Sequence, residues 1–385
     1  MESVVAELRS RGLEAGHILA VHLPTSLRFI NLLFASIEIG AIFCPLNLRL
    51  PKAALQSQLN TLQPKLFISE SETQTYHVDK TPLPPSSFLL FTSGSNGSPK
   101  LVNLSIDNFI AAANSAITAT DLGPNDTWLL SLPLYHVGGL SILFRCHIAN
   151  ASITLDPENQ SITHLSYVPT QLYRSWPIYP RLKTILLGGA PIHEIPTRLP
   201  ILASYGMTET ASMILGQKNA PQKNGHIYLG HPHPGKEITL SKEGEILLRG
   251  DSLFQGYWTG TELQKPDTWF GTNDLGLFDE KEGFAIVGRK DNQFISGGEN
   301  ITPEEIEREL LTHPTILEAL VVPRKDNEFG AKPVAFIRSI GEINEKALRD
   351  YLLDRLPKYK IPCAFLMMEE GSDMKLSRKK YAIQT

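Results

Sequence analysis

The chain has 385 residues, 42% hydrophobic and 20% charged, with 36 basic and 40 acidic side chains and a formal net charge of -4. That apolar content is enough to offset the ordering entropy of a folded chain, so extensive disorder is excluded, and the length corresponds to about two or three domains. The charge balance excludes a nucleic-acid binder working through bulk positive charge. Three widely spaced cysteines, Cys44, Cys146 and Cys363, exclude a disulfide framework and fit a reducing cytoplasm.

The N-terminus, with Glu7, Arg9 and Arg11, lacks the basic-then-apolar order of a signal peptide. The apolar run at residues 18–23 predicts a buried strand closed by Pro24, and Thr25 or Ser26 can cap the helix that follows. Phe29, Leu32, Leu33, Ser36 and Ile37 recur at helical spacing up to Gly40, a stop signal. Residues 41–44 then predict a second strand, giving a βαβ unit and hence a parallel sheet. The apolar stretch 30–46 carries Asn31, Glu38 and Pro45 and is shorter than the ~20 residues of a membrane span.

Further short apolar runs predict strands at 87–91, 128–132, 152–155, 165–168, 184–187 and 201–204. Beyond Gly230 the texture becomes more polar. Segments 245–249, 284–287 and 334–337 read as hairpin or edge strands, and charged helices are expected at 303–311 and 343–356. The fold class is therefore α/β: a large N-terminal domain of mixed and parallel sheets with helices (residues 1–290) and a small α+β C-terminal domain (residues 291–385).

One segment carries chemistry on its face. Residues 92–100 read Thr92, Ser93, Gly94, Ser95, Asn96, Gly97, Ser98, Pro99, Lys100, directly after a predicted strand. Two glycines allow a tight turn with several N–H groups aimed inward, the hydroxyls add donors, and Lys100 adds a point charge, an arrangement suited to a polyphosphate. It differs from a Walker A loop, where Gly-Lys-Ser/Thr opens a helix.

With this loop and five later segments in order, the chain resembles the adenylate-forming superfamily of acyl- and aryl-CoA synthetases, luciferases and adenylation domains. The five are Leu187-Gly188-Gly189-Ala190-Pro191, Tyr205-Gly206-Met207-Thr208-Glu209-Thr210, Thr272-Asn273-Asp274-Leu275-Gly276, Gly288-Arg289-Lys290-Asp291 and Lys375-Leu376-Ser377-Arg378. The resemblance implies ATP and coenzyme A as co-substrates and Mg²⁺ as cofactor. It implies that the 92–100 loop holds the β- and γ-phosphates, that Gly188, Gly189, Ala190 and Pro191 line the adenine and that Tyr205 stacks on it beside Gly206. Thr208 would meet the α-phosphate, Glu209 the Mg²⁺, and Asp274 and Arg289 the ribose. Lys375 would be the adenylation catalyst and Asp291 the hinge of a rotating small domain. Ser296, Gly297 and Gly298 would line the thiol's path, with His136 at its junction with the acyl pocket.

Within the superfamily, residues 133–145 and 163–173 are most similar to the o-succinylbenzoate–CoA ligases of menaquinone synthesis, and residues 294–305 are similar to these and to several fatty- and aryl-acyl-CoA synthetases. A diacid needs an apolar floor and one cation, and Arg145 is the only Lys, Arg, Asp or Glu between Asp126 and Asp156. Its partner is the substrate carboxylate or a protein acid; a surface helix end is the third reading. A fatty- or aryl-acyl-CoA synthetase is the alternative activity, and a non-catalytic nucleotide-binding protein the rival from another class. His226, His231 and His233 lie among glycines and prolines and read as a surface turn rather than a metal site. The expected partners are small molecules, with no nucleic acid and no membrane span; the resemblance leaves monomer and homodimer both open.

Overall fold

The computed structural model describes residues 2–92, 99–174, 178–192, 194–196, 198–341, 343–368 and 378–382. The βαβ unit forms as its sequence dictates. The strand Ile18–His22 runs parallel to Ile42–Pro45, and the helix Leu27–Ile39 connects them. Ser26 is the N-cap, its hydroxyl accepting from the Phe29 N–H at 3.3 Å, and Gly40 ends the helix at φ 81°.

Two large sheets build the N-terminal part. One has eight strands, with Ile18–His22 and Ile42–Pro45 at its centre and, toward one edge, Phe88–Thr92, Lys100–Leu104, Gly256–Trp258 and Leu263–Gln264. The other has six, in the order Ser212–Lys218, Ile201–Met207, Thr184–Leu187, His164–Tyr167, Thr127–Leu129, Ser152–Thr154. The helices Ile106–Thr120 and Val137–Ala149 share one core with both sheets. There Phe109 and Phe144 stack at 4.4 Å, and Phe88 meets each of them edge-on. Burial of these rings together with the aliphatic side chains around them holds the layers together.

A third, four-stranded antiparallel sheet runs Lys236–Leu240, Glu245–Gly250, Phe270–Asp279, Gly283–Arg289. The chain leaves it through a 3₁₀ turn at Lys290–Asn292. Beyond the hairpin Phe294–Ser296/Glu299–Ile301 come the helix Pro303–Leu311, the three-stranded sheet Ile316–Asp326, Gly330–Ser339, Ala364–Met367, and the helix Glu345–Leu353. This C-terminal α+β part has cores of its own, around Ile306, Val321, Ile337 and Leu352 on one face of its sheet and Val322, Phe336 and Tyr381 on the other.

Glu245–Gly250 and Gly330–Ser339 are hairpin strands, as expected, paired antiparallel with Lys236–Leu240 and Ile316–Asp326, and both lie in the interior of their sheets rather than at an edge. The first alternates buried and partly exposed residues because one face of its sheet is solvated, and that alternation looks like an edge in sequence. Among the described residues no helix is long and apolar enough to cross a membrane.

Candidate active site

The ends of the two large sheets and the start of the four-stranded sheet carry the predicted site residues. Thr92 ends its strand paired with Lys100, and the loop between them, including Ser93, Gly94, Ser95, Asn96 and Gly97, lies outside the described residues. So does Lys375. Lys100 is exposed, with its ammonium 4.7 Å from the centre of the Tyr257 ring.

In the six-stranded sheet, Gly188 and Gly206 are fixed by close backbone approach. A Cβ on Gly206 would lie 2.2 Å from the Ser212 carbonyl oxygen, at the irregularity that turns Ile201–Met207 back into Ser212–Lys218. A Cβ on Gly188 would lie 2.4 Å from Ser204 Oγ. Gly189 takes φ 75°, and Ala190 and Pro191 follow it partly exposed and exposed. The turn itself, Thr208–Thr210, is a single 3₁₀ turn closed by Thr210 Oγ1, which accepts from the Met207 N–H at 3.1 Å. It holds Glu209 almost fully buried, 7% exposed, where the Tyr257 hydroxyl donates to Oε1 at 2.8 Å. Burial raises the Glu209 carboxyl above its ordinary value, opposed by the Tyr257 hydrogen bond and by the positive charges of Lys100 and Arg289.

Asp274 lies within the strand Phe270–Asp279, just before a bulge at Leu275/Gly276. Its side chain is shared. The Tyr205 hydroxyl donates to Oδ2 at 2.6 Å, and Arg289 Nη1 donates to Oδ1 at 2.9 Å. Burial pushes this carboxyl up as well, and Tyr205 and Arg289 oppose the shift. Tyr205 is held by its hydroxyl, and burial and the Asp274 charge push its phenol well above the ordinary range. Two sequence segments, one with Tyr205 and Glu209 and one with Asp274 and Arg289, thus form one cluster in which Arg289 acts on both carboxylates.

The remaining predicted residues divide. Asp291 takes two hydrogen bonds from Arg289. Ser296 is buried, and Gly297 and Gly298, at φ 59° and 88°, form the two-residue turn of a hairpin that only glycine-like positions satisfy easily. His136 is the exposed N-cap of the helix Val137–Ala149, its ring 4.6 Å from that of Tyr135.

Arg145 is not at the surface, and among the described residues it is not paired with an acid. It is 1% exposed, its guanidinium lies 4.8 Å from the Trp128 ring, and it donates to the Ser141 carbonyl and to the hydroxyls of Ser141 and Ser212. Its Nη1 has no hydrogen-bond partner among the described residues, and burial lowers its pKa to about 10. A second buried cation, Lys236, stands close by and donates to the Met213 carbonyl at 2.7 Å. His231 is exposed and His233, partly buried, opens the turn closed by the Lys236 N–H at 3.1 Å, while His226 lies in the short strand His226–Ile227; among the described residues no group of three His, Cys, Asp or Glu forms a metal cage.

A family model for AMP-binding enzymes matches residues 2–87 and 70–258, and the model for their C-terminal domain matches residues 305–377. The chain belongs to the AMP-binding enzyme family. The 2-succinylbenzoate–CoA ligase of Salmonella typhimurium is 34% identical over 90% of this chain and 82% of its own length. That of Haemophilus influenzae is 33% identical over 99% and 90%. Wild-type E. coli MenE, solved with a phenylether-linked analogue of OSB-AMS, superposes with a TM-score of 0.82 at 28% identity, covering 99% of this chain and 90% of that one. The o-succinylbenzoate CoA synthetase (MenE) of Bacillus subtilis, solved with the acyl-adenylate intermediate OSB-AMP, gives 0.80 at 26%, covering 95% and 87%.

Motif reading of this AMP-binding enzyme missed Tyr257, Lys236, Ser212 and Glu304, all of which contact predicted site residues or hold the segments that carry them. Tyr257, for example, sits in a short strand of ordinary composition, and only the pairing of that strand with Lys100–Leu104 brings it to Glu209.

Proposed function

We propose that this AMP-binding enzyme is an ATP-dependent acid–CoA ligase whose acid is 2-succinylbenzoate. The observation that carries the reading is the buried Asp274 carboxylate, held between Tyr205 and Arg289 in one cluster with Glu209. A fixed carboxylate accepts paired ribose hydroxyls, and a second one nearby is a hard oxygen donor for a cation travelling with the phosphates.

The chemistry needs both. An acid carboxylate oxygen bonds to the α-phosphorus of ATP while the bond to the β-phosphate oxygen breaks, and pyrophosphate leaves with that electron pair. A CoA thiolate then attacks the acyl carbon, and AMP departs. Carboxylate and triphosphate repel each other, so the enzyme must supply positive charge and alignment. The 92–100 loop with Lys100 is assigned to the β- and γ-phosphates, Thr208 to the α-phosphate, and Lys375 to the charge developing between acid and α-phosphorus. Gly188 to Pro191 and Tyr205 are assigned to the adenine. Mg²⁺ fits Glu209: Tyr257 engages one carboxylate oxygen, and an ion held by one carboxylate and phosphate oxygens requires no cage of protein ligands. When bound it would neutralise phosphate charge.

Residues 1–290 would form the adenylation domain and 291–385 a domain that turns at Asp291. The separate hydrophobic cores on the two sides support that division. After the turn Ser296, Gly297, Gly298 and His136 would line the thiol's path. The choice of acid rests on the relatives, matched over at least nine-tenths of this chain, and on Arg145, a buried cation without a carboxylate partner among the described residues. The test is ATP–pyrophosphate exchange with 2-succinylbenzoate against a panel of fatty and aryl monoacids. Exchange fastest with the diacid is expected; exchange driven equally by a monoacid would transfer the reading to a fatty- or aryl-acyl-CoA synthetase.

A further inference from the structure

Lys100 opens a strand of the eight-stranded sheet and Glu209 sits in the 3₁₀ turn Thr208–Thr210; they carry opposite charges, yet they form no ion pair with each other. Tyr257 stands between them. Its ring takes the Lys100 ammonium at 4.7 Å, and its hydroxyl donates to Glu209 Oε1 at 2.8 Å. We propose that Tyr257 is a positioning residue for the first half-reaction, a spacer that keeps the phosphate-loop lysine and the acidic residue from neutralising each other. Lys100 then remains available to the polyphosphate and Glu209 to the cation that accompanies it. The inference rests on the ligase reading above and deepens it.

The backbone around Tyr257 is built to hold this place. Its strand pairs antiparallel with Lys100–Leu104, Tyr257 opposite Val102 and Trp258 opposite Leu101. Gly256 takes φ 144°, where a Cβ would lie 2.5 Å from the Gln264 carbonyl oxygen, so the approach to the ring is fixed. Phe254 packs edge-on against the Tyr257 ring at 4.8 Å, and its N–H donates to the Glu209 carbonyl at 2.7 Å. Ring and carboxylate are therefore anchored by the same short segment. A direct pair between the exposed Lys100 ammonium and the buried Glu209 carboxylate would engage both groups at once. A neutral phenol satisfies each without cancelling its charge, giving the ammonium a ring face and the carboxylate a donor.

Two variants separate the contacts. Tyr257→Phe keeps the ring and removes the hydroxyl; Tyr257→Leu removes both. Calorimetry measures the binding of Mg²⁺–ATP and of AMP to each, and ATP–pyrophosphate exchange is followed as Mg²⁺ is varied. Thioester formation is started from supplied acyl-adenylate, and thermal melting is recorded. For Tyr257→Phe the expectation is about ten-fold weaker Mg²⁺–ATP binding, the order expected for a lost hydrogen bond to a charged group, and a similar rise in the Mg²⁺ needed for half-maximal exchange. AMP binding, melting and thioester formation should stay within about two-fold of wild type. Mg²⁺–ATP binding unchanged in Tyr257→Phe, or loss of Mg²⁺–ATP and AMP binding alike, overturns the role. If the wild-type chain exchanges pyrophosphate and only the variant prediction fails, the spacer falls and the ligase reading stands. If wild type does not exchange at all, both fall.

Discussion

The guanidinium of Arg289 donates a parallel pair of hydrogen bonds, 3.0 Å each, to the carboxylate of Asp291 two residues further on, while its third nitrogen holds Asp274 at 2.9 Å. One side chain thus ties the ribose candidate to the hinge candidate. Asp291→Pro removes the acceptor pair and fixes φ inside the Lys290–Asn292 turn, so it both frees Arg289 and stiffens the pivot. The thioester half-reaction should slow by about a hundred-fold, and ATP–pyrophosphate exchange by less than about ten-fold, by pre-steady-state kinetics of each half. Equal slowing of the two halves would remove Asp291 from the role of pivot.

Arg145 and Lys236 are two buried basic side chains close together, and among the described residues neither is paired with an acid. Uncompensated buried charge costs stability, so retaining it points to an anionic ligand. Arg145→Met, of similar length and apolar, should melt no lower than wild type and yet raise the KM for 2-succinylbenzoate by about ten-fold or more, leaving ATP affinity and the KM for a monoacid unchanged. A drop in melting temperature with equal losses for both acids would make Arg145 a purely structural brace of Ser212.

The Lys236 ammonium, pushed down to about 7 by burial and by Arg145, gives a signed pH dependence. Between about 7 and its ordinary 10.5 the unfolded chain holds a proton there that the folded chain lacks, so the contribution of Lys236 to stability rises with pH through that window. Denaturant titrations should show this rise in wild type relative to Lys236→Met, with a difference that flattens below about pH 7. A difference independent of pH would mean that Lys236 keeps an ordinary pKa.

Arg378 opens the helix Arg378–Ala382, three residues after Lys375 in sequence. It donates to both oxygens of the buried Glu307, to Glu304 at 2.9 Å and to the Val321 carbonyl at 2.7 Å. Glu304 also accepts from Asn292, the residue after Asp291, at 2.5 Å. Arg378→Ala leaves Glu307 buried without its counter-charge, at a cost of about 3 kcal/mol to the C-terminal part by chemical denaturation. Because Arg378 follows the candidate catalyst by three residues in sequence, Arg378→Lys should depress pyrophosphate exchange by about ten-fold or more while conversion of supplied acyl-adenylate persists. Retained exchange in Arg378→Lys would separate the anchor from the chemistry.

Much of the fold follows from local pattern. Ser26, the helical spacing from Phe29 to Ile37 and Gly40 dictate a capped helix between two parallel strands, because caps and periodicity act within a few residues. The interior positions of Glu245–Gly250 and Gly330–Ser339 were not legible, since the neighbours that cover a strand come from distant sequence. The candidate site divides the same way. Gly206, Glu209 and Asp274 sit in ordered motifs whose residue types carry their chemistry, but Tyr257 has no motif of its own.

The sequence by itself determined the element types, the order of the chemical segments and the family they resemble, because turns, caps and phosphate-cradling loops are short-range properties of residue type. The tertiary structure alone buries Arg145 with no acid paired to it among the described residues, bridges Asp274 and Asp291 through Arg289, and sets Tyr257 against both Lys100 and Glu209. The physical reason is that burial and electrostatic pairing depend on which strands lie side by side, and strand pairing is settled by packing across the whole chain rather than within any window of it.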